Sequence, residues 1–175
     1  MPQKNRLNLP SASPQQQRES RILWNDGRSP GDADFFTLGY SGRSLEDLLP
    51  EFEAHNIRTL MDIRYNPVSM YRPELSKKNL CAALESWGIA YLHLPELGVP
   101  RDIRAKAVTS GTRESIWEWY DQYVVQPYVA ANLHTFLNSA DHPVVLMCVE
   151  ADPAECHRHR LFLALEEMGL CGYDL

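Results

Sequence analysis

"PVVLMCVEADPAECHRHRLFLALEEMG", residues 143–169, is the stretch that decides the fold. Its first seven residues form a nearly continuous apolar run, which suits a strand buried on both faces. Asp152 then stands as an N-cap, Pro153 suits a first helical position, and Glu155 falls at N3. That spacing predicts a capping box opening a helix from about Pro153 to Met168. A buried strand feeding a helix is half of a βα unit, and βα units imply a parallel sheet.

The same alternation runs upstream. "FFTLGY" is a strand candidate, and Ser44 with Asp47 predicts a capped helix through about His55, with Pro50 as a point of weakness. "RTLMDIR" (58–64) is the second strand, Ser76 is the predicted cap of "KKNLCAALESWG", and Gly88 stops that helix. "AYLHL" (90–94) is the third strand. The loop "PELGVPRD" follows, then an aromatic helical region over about 112–138 with a kink expected at Pro127. "CGYDL" begins a fifth strand.

The expectation is one α/β domain over 34–175. It is a three-layer sandwich with a short, mainly parallel sheet of about five strands. Residues 1–33 are rich in Gln, Ser, Pro and Arg and read as a flexible N-terminal tail, with Ile22, Leu23 and Trp24 able to dock. In such sheets a ligand binds beyond the carboxyl ends of the strands.

The bulk properties narrow the function classes. The chain has 175 residues, 44% of them hydrophobic, and a formal net charge of −6. That balance argues against a broad nucleic-acid surface and leaves room for a local basic cleft. The four cysteines form no CxxC pair, residues 1–20 contain no apolar signal core, and no run reaches membrane length. The expectation is a cytoplasmic protein with reduced thiols.

Unusual side chains cluster at the predicted strand ends. Asp62 and Arg64 share one strand face, so the carboxylate can orient a partner while the guanidinium holds an anion, or the two can simply pair. Ser41, between Gly39 and Gly42, sits where backbone amides can approach a ligand, or merely turns the chain. His93 is a candidate base, with Glu96 just beyond it. Cys148 and Glu150 share a strand face. Glu150 is an acid–base candidate and Cys148 a nucleophile candidate, although Glu150 and Asp152 would oppose a thiolate. His157 and Arg158 are substrate-binding candidates. Cys156 and His157, read as helix neighbours about 100° apart, are poorly disposed to share a metal ion, so no metal ligands are assigned.

Four pieces in this order, "TLGYSGRSLEDLL", "LMDIRYNPVS", "YLHLPELG" and "LMCVEADPAECHRHRL", resemble the domain-of-unknown-function 488 family. The resemblance covers about residues 35–175. It implies an α/β domain with these motifs gathered into one cleft, and it implies no particular activity. "MDIR" is also similar to the Asp-x-Arg strand of rhodanese-like domains, whose Cys-x5-Arg loop is absent here because Ala154 stands at the arginine position.

Three functional readings stay open at this point. The first is an enzyme with a polar strand-end cleft, a hydrolase or transferase acting on an anionic or phosphorylated substrate. Arg64 and Arg158 would bind the anion, and Asp62, His93, Cys148 or Glu150 would do the chemistry. The second is a non-catalytic module for a nucleotide or nucleic-acid end. The third is a metal-dependent form of the first. The cofactor is unknown, and the partner expected is an anionic small molecule or nucleotide.

Overall fold

The computed structural model describes residues 24–110, 112–131 and 134–175. The strands are β1 (Phe35–Gly39), β2 (Thr59–Asp62), β3 (Ala90–His93), β4 (Val144–Cys148) and β5 (Gly172–Asp174). They form one sheet in the order β3-β2-β4-β1-β5, and every pairing is parallel. All five residues of β4 are buried, as its apolar run requires of a central strand. Edge strand β3 alternates between exposed and half-buried residues.

Helices cover both faces. α1 (Leu45–Ala54) and α2 (Lys77–Ser86) lie on one side. Leu48, Phe52, Leu80 and Leu84 pack there against Phe36, Leu38, Leu60, Val145 and Met147. The opposite face carries Phe35, Met61, Val144, Leu146 and Cys148, which pack against Tyr120, Val124, Leu161 and Phe162. Those partners come from α4 (Glu114–Tyr120), the turn that follows it, and α7 (Arg158–Glu167). Between β3 and α4 lies α3 (Arg101–Ser110). The layers are therefore helix, sheet, helix, as the strand patterning predicts.

Local sequence explains most boundaries. Ser44 and Asp47 form the reciprocal capping box, and α1 runs through Pro50 without a break. Gly88, at φ +72°, ends α2 after Trp87. Ser76 stands at the N-cap of α2, but its side chain does not cap it. Its Oγ instead accepts from the Ser69 amide at 3.0 Å and donates to the Ser69 carbonyl, pinning the loop after β2. The aromatic region is not one kinked helix. α4 passes into a π turn, Asp121–Val125, then α5 (Gln126–Ala130), and α6 (His134–Asn138) is separate. The Gln126 amide bonds the Asp121 carbonyl, five residues back, just before Pro127, which has no amide to continue the α pattern.

The largest departure from the expected elements lies between Asp152 and Arg158. Asp152 does accept a bond, from the Ala154 amide at 2.9 Å, but it caps a short 3-10 turn, Pro153–Glu155. Cys156 follows with extended backbone, and α7 begins only at Arg158. Two punctuated elements occupy the span read as one helix.

Of the segment read as a tail, residues 24–33 pack on the domain, and residues 1–23, including Ile22 and Leu23, lie outside the described residues. The Trp24 ring stands edge-on to Phe162 at 5.2 Å, and Asn25 bonds both the amide and the carbonyl of Asp174. No helix among the described residues is long and apolar enough to cross a membrane.

Candidate functional site

The register sets the site. Gly39 pairs with Cys148, and Asp62 with Met147, so β1, β2 and β4 end at one level. From β1 the chain crosses toward β2, and from β4 it crosses toward β5. These neighbouring strands therefore send their connections in opposite directions, which makes their carboxyl ends a topological switch point, the usual crevice in open α/β sheets. The crevice is tight at its floor. A Cβ on Gly39 would lie 1.7 Å from the Glu150 carbonyl oxygen, so only glycine fits.

A cleft of about 460 Å³ opens above this floor. That volume lies within the range of small-molecule sites. Tyr40 and Ser41 come from the end of β1, and Val149 from the end of β4. Tyr65, Tyr71 and Arg72 come from the loop after β2, and Arg101 and Arg104 from the start of α3. No Asp or Glu among the described residues lines it. Arg72 faces Glu74 at 3.7 Å, an exposed pair, whereas Arg101 and Arg104 form no salt bridge among the described residues.

The sequence candidates fall into two groups, which the sheet separates. On the α1–α2 face, Arg64 grips Asp62 with two parallel bonds, Nε to Oδ1 at 2.7 Å and Nη2 to Oδ2 at 2.5 Å. Tyr91 donates its hydroxyl to Asp62 Oδ2 at 2.7 Å, and Arg64 Nη1 donates to the Tyr40 hydroxyl at 3.2 Å. The guanidinium also lies over the Tyr40 ring, 5.2 Å from its centroid. Burial works against the Arg64 charge, but the bond and charge of Asp62 outweigh it and hold the guanidinium above its usual pKa. Burial and the Asp62 charge likewise push the Tyr91 phenol up.

His93 belongs to this group but does not enter the cleft. Its Nε2 bonds the Arg64 carbonyl at 2.9 Å, and Lys77 Nζ lies 3.3 Å from its Nδ1. These bonds tie α2 and β3 to the loop after β2. Glu96 is exposed on the 3-10 turn Pro95–Leu97, outside the cleft lining.

On the α7 face, Cys148, Glu150, Cys156 and His157 come together. Cys148 Sγ lies 3.5 Å from Glu150 Oε2 and 3.8 Å from His157 Nδ1. Cys148 is fully buried, with 0% exposure, so it is not presented to the cleft. Burial also pushes the Cys156 thiol well up, reinforced by its bond to Cys148. Burial opposes ionisation of Glu150, but the His157 and Cys156 contacts and nearby Arg104 win, holding its carboxyl below the usual value.

Arg158 is buried and internally committed. It bonds Asp174 at 3.2 Å, the Ala151 carbonyl at 3.1 Å and the Glu150 carbonyl. It thereby fastens the end of β4 to β5. Of the substrate-binding candidates, only Ser41 lines the cleft, whereas Arg64, Glu96, His157 and Arg158 do not.

Sequence reasoning passed over Arg72, Arg101 and Arg104. Their spacing of three puts Arg101 and Arg104 on one face of α3, a helix that begins inside the stretch expected to be a loop.

The model of the family described as domain of unknown function DUF488 matches residues 44–165. The chain therefore belongs to this family. No curated protein and no solved structure matches it.

Proposed function

We propose that this DUF488 member is an enzyme that binds a phosphorylated substrate bearing a planar ring, of the nucleotide class, in the strand-end cleft. The composition of the cleft carries this reading: among the described residues its lining holds three arginines, three tyrosines and no carboxylate. Arginine matches phosphate geometry and stacks on rings, and tyrosines offer flat apolar faces. On a molecule of net charge −6, a carboxylate-free pocket of arginines is a local exception. Its low-dielectric walls focus that field on an incoming anion.

Glu150 is the acid–base candidate nearest the cleft: its backbone adjoins the wall at Val149, while its side chain packs beside Cys148 on the α7 face. It is half-buried at the end of β4, next to Val149 of the cleft wall and within the field of Arg104. Its lowered pKa keeps the carboxylate ionised. Arg64 supports the site indirectly by stacking under Tyr40, which lines the cleft.

Calorimetric titration with nucleoside monophosphates and diphosphates, against the matching nucleosides, tests the binding. Phosphorylated ligands should bind measurably at low salt, weaken as salt rises, and lose about tenfold in affinity in R104A, an exposed charge-assisted contact of roughly 1.4 kcal/mol. Equal binding of nucleosides, or none by either class at low salt, removes the proposal. A non-catalytic nucleotide module would use the same cleft. E150Q separates the two, because turnover falls with binding intact only if the chain is an enzyme.

A further inference from the structure

We infer that Cys148, Cys156 and His157 form a binding site for a divalent metal ion of the zinc class, built behind the cleft on the α7 face. Their ligand atoms all lie within 4.8 Å of one another, and all three residues are buried. They converge because α7 begins only at Arg158, after the 3-10 turn Pro153–Glu155 and an extended Cys156. Cys156 has φ −119° and ψ 143°, so it and His157 do not diverge as helix neighbours would.

The spacing suits four-coordination. Metal–sulfur bonds of about 2.3 Å and metal–nitrogen bonds of about 2.0–2.1 Å place tetrahedral ligands roughly 3.5–3.8 Å apart. Cys148 Sγ lies 3.8 Å from His157 Nδ1 and 3.9 Å from its Nε2. Glu150 Oε2 lies 3.5 Å from Cys148 Sγ, outside the three-residue group. Two sulfurs with an imidazole select zinc-class ions over magnesium or calcium.

The surroundings fit the ligand roles as well. His157 Nε2 faces the Ile63 carbonyl at 3.4 Å, so with its proton there the Nδ1 lone pair is left for the ion, an arrangement usual for metal-bound histidines. The Arg158 amide, at the start of α7, points at Cys156 Sγ from 3.5 Å, as amides do toward thiolates. Binding displaces the two thiol protons to solvent and leaves both sulfurs as thiolates. The site does not rest on the ligand proposed for the cleft.

The test uses the full chain with C81S and C171S, which removes the two cysteines outside the cluster. After chelation and reduction, Co2+ is added and the absorption spectrum and bound metal are measured. The expected result is one Co2+ per chain, with a thiolate-to-cobalt charge-transfer band in the near ultraviolet and intense visible bands of four-coordination. Further substitution with C148S or C156S should abolish the charge-transfer intensity or the binding. The parent spectrum stands even where those variants fail to fold. A folded parent that takes up no Co2+, or shows only the weak bands of six-coordinate oxygen ligation, overturns the inference. So does a Cys148–Cys156 disulfide whose reduction yields no metal uptake. Failure of nucleotides to bind the cleft would leave this spectrum unchanged, so the two proposals fail separately.

Discussion

Replacing Asp62 with alanine tests whether the Asp62–Arg64 pair is part of the framework or of the ligand site. The Asp62 carboxylate accepts from Arg64 Nε, Arg64 Nη2, the Arg64 amide and the Tyr91 hydroxyl, at 2.7, 3.1, 2.5 and 2.7 Å for Nε, the amide, Nη2 and Tyr91 respectively. Arg64 is 1% exposed, so loss of Asp62 leaves a buried guanidinium with only its Tyr40 contacts. Breaking one side of such a pair costs about 3–5 kcal/mol. With a urea slope of about 2 kcal/mol per molar, the unfolding midpoint should fall by roughly 2 M. The double variant D62L/R64M removes both charges and should recover most of that loss, because an apolar pair avoids the desolvation cost. Urea unfolding followed by tryptophan fluorescence measures all of this. A D62A cost below about 1 kcal/mol would refute a framework role for the pair. That role is equally refuted if R64A abolishes nucleotide binding while its unfolding midpoint matches wild type.

Three further outcomes are expected. G39A should destabilise by about 3 kcal/mol, because its methyl would collide with the Glu150 carbonyl and the Arg158 guanidinium; a wild-type urea midpoint would contradict that. Burial between Trp24 and Trp117 holds the His159 pKa below 6.5, so the folded state favours the neutral ring. Its contribution is then full above pH 6.5 and declines as pH falls through that value, since the unfolded chain binds the proton first. H159F should flatten the stability profile between about pH 7.5 and 5.5, and equal losses in both proteins would remove the assignment. W24A should cost about 2 kcal/mol by thermal unfolding, less than for a fully enclosed ring because Trp24 is only partly buried, and an unchanged transition would show that residues 24–33 add nothing.

The fold was legible in the sequence wherever one local rule had no competitor. The apolar run of β4, the Ser44–Asp47 box and Gly88 each translate directly into the structure. Reading failed where a residue had two uses for the same group. Ser76 stands where a cap belongs but spends its hydroxyl on Ser69, a partner that only the folded loop supplies. Asp152 caps a turn instead of α7, because the helix begins where Cys156 has finished bending the chain. The strand-face parity of Asp62 with Arg64, and of Cys148 with Glu150, was readable by alternation. That the two pairs face opposite sides of the sheet depends on register between β2 and β4, which is a long-range property. The cleft arginines come from the loop after β2 and from the start of α3, and only their joint position makes them a set.

The place of β1 and β5 in the sheet bears on how the domain can be divided. The family match spans 44–165, yet β1 and β5 lie outside that span and form one flank of the sheet. A fragment cut at those limits would strip β4 of its β1 partner along Phe36–Gly39. Val144–Cys148 would then present a row of open amides and carbonyls on a wholly apolar strand, the kind of template that recruits other chains into aggregates. The same cut removes Asp174, stranding the Arg158 charge inside α7. Soluble expression should therefore require at least residues 24–175, and insolubility of the shorter piece would reflect an unsealed edge rather than a failure of the matched region to fold.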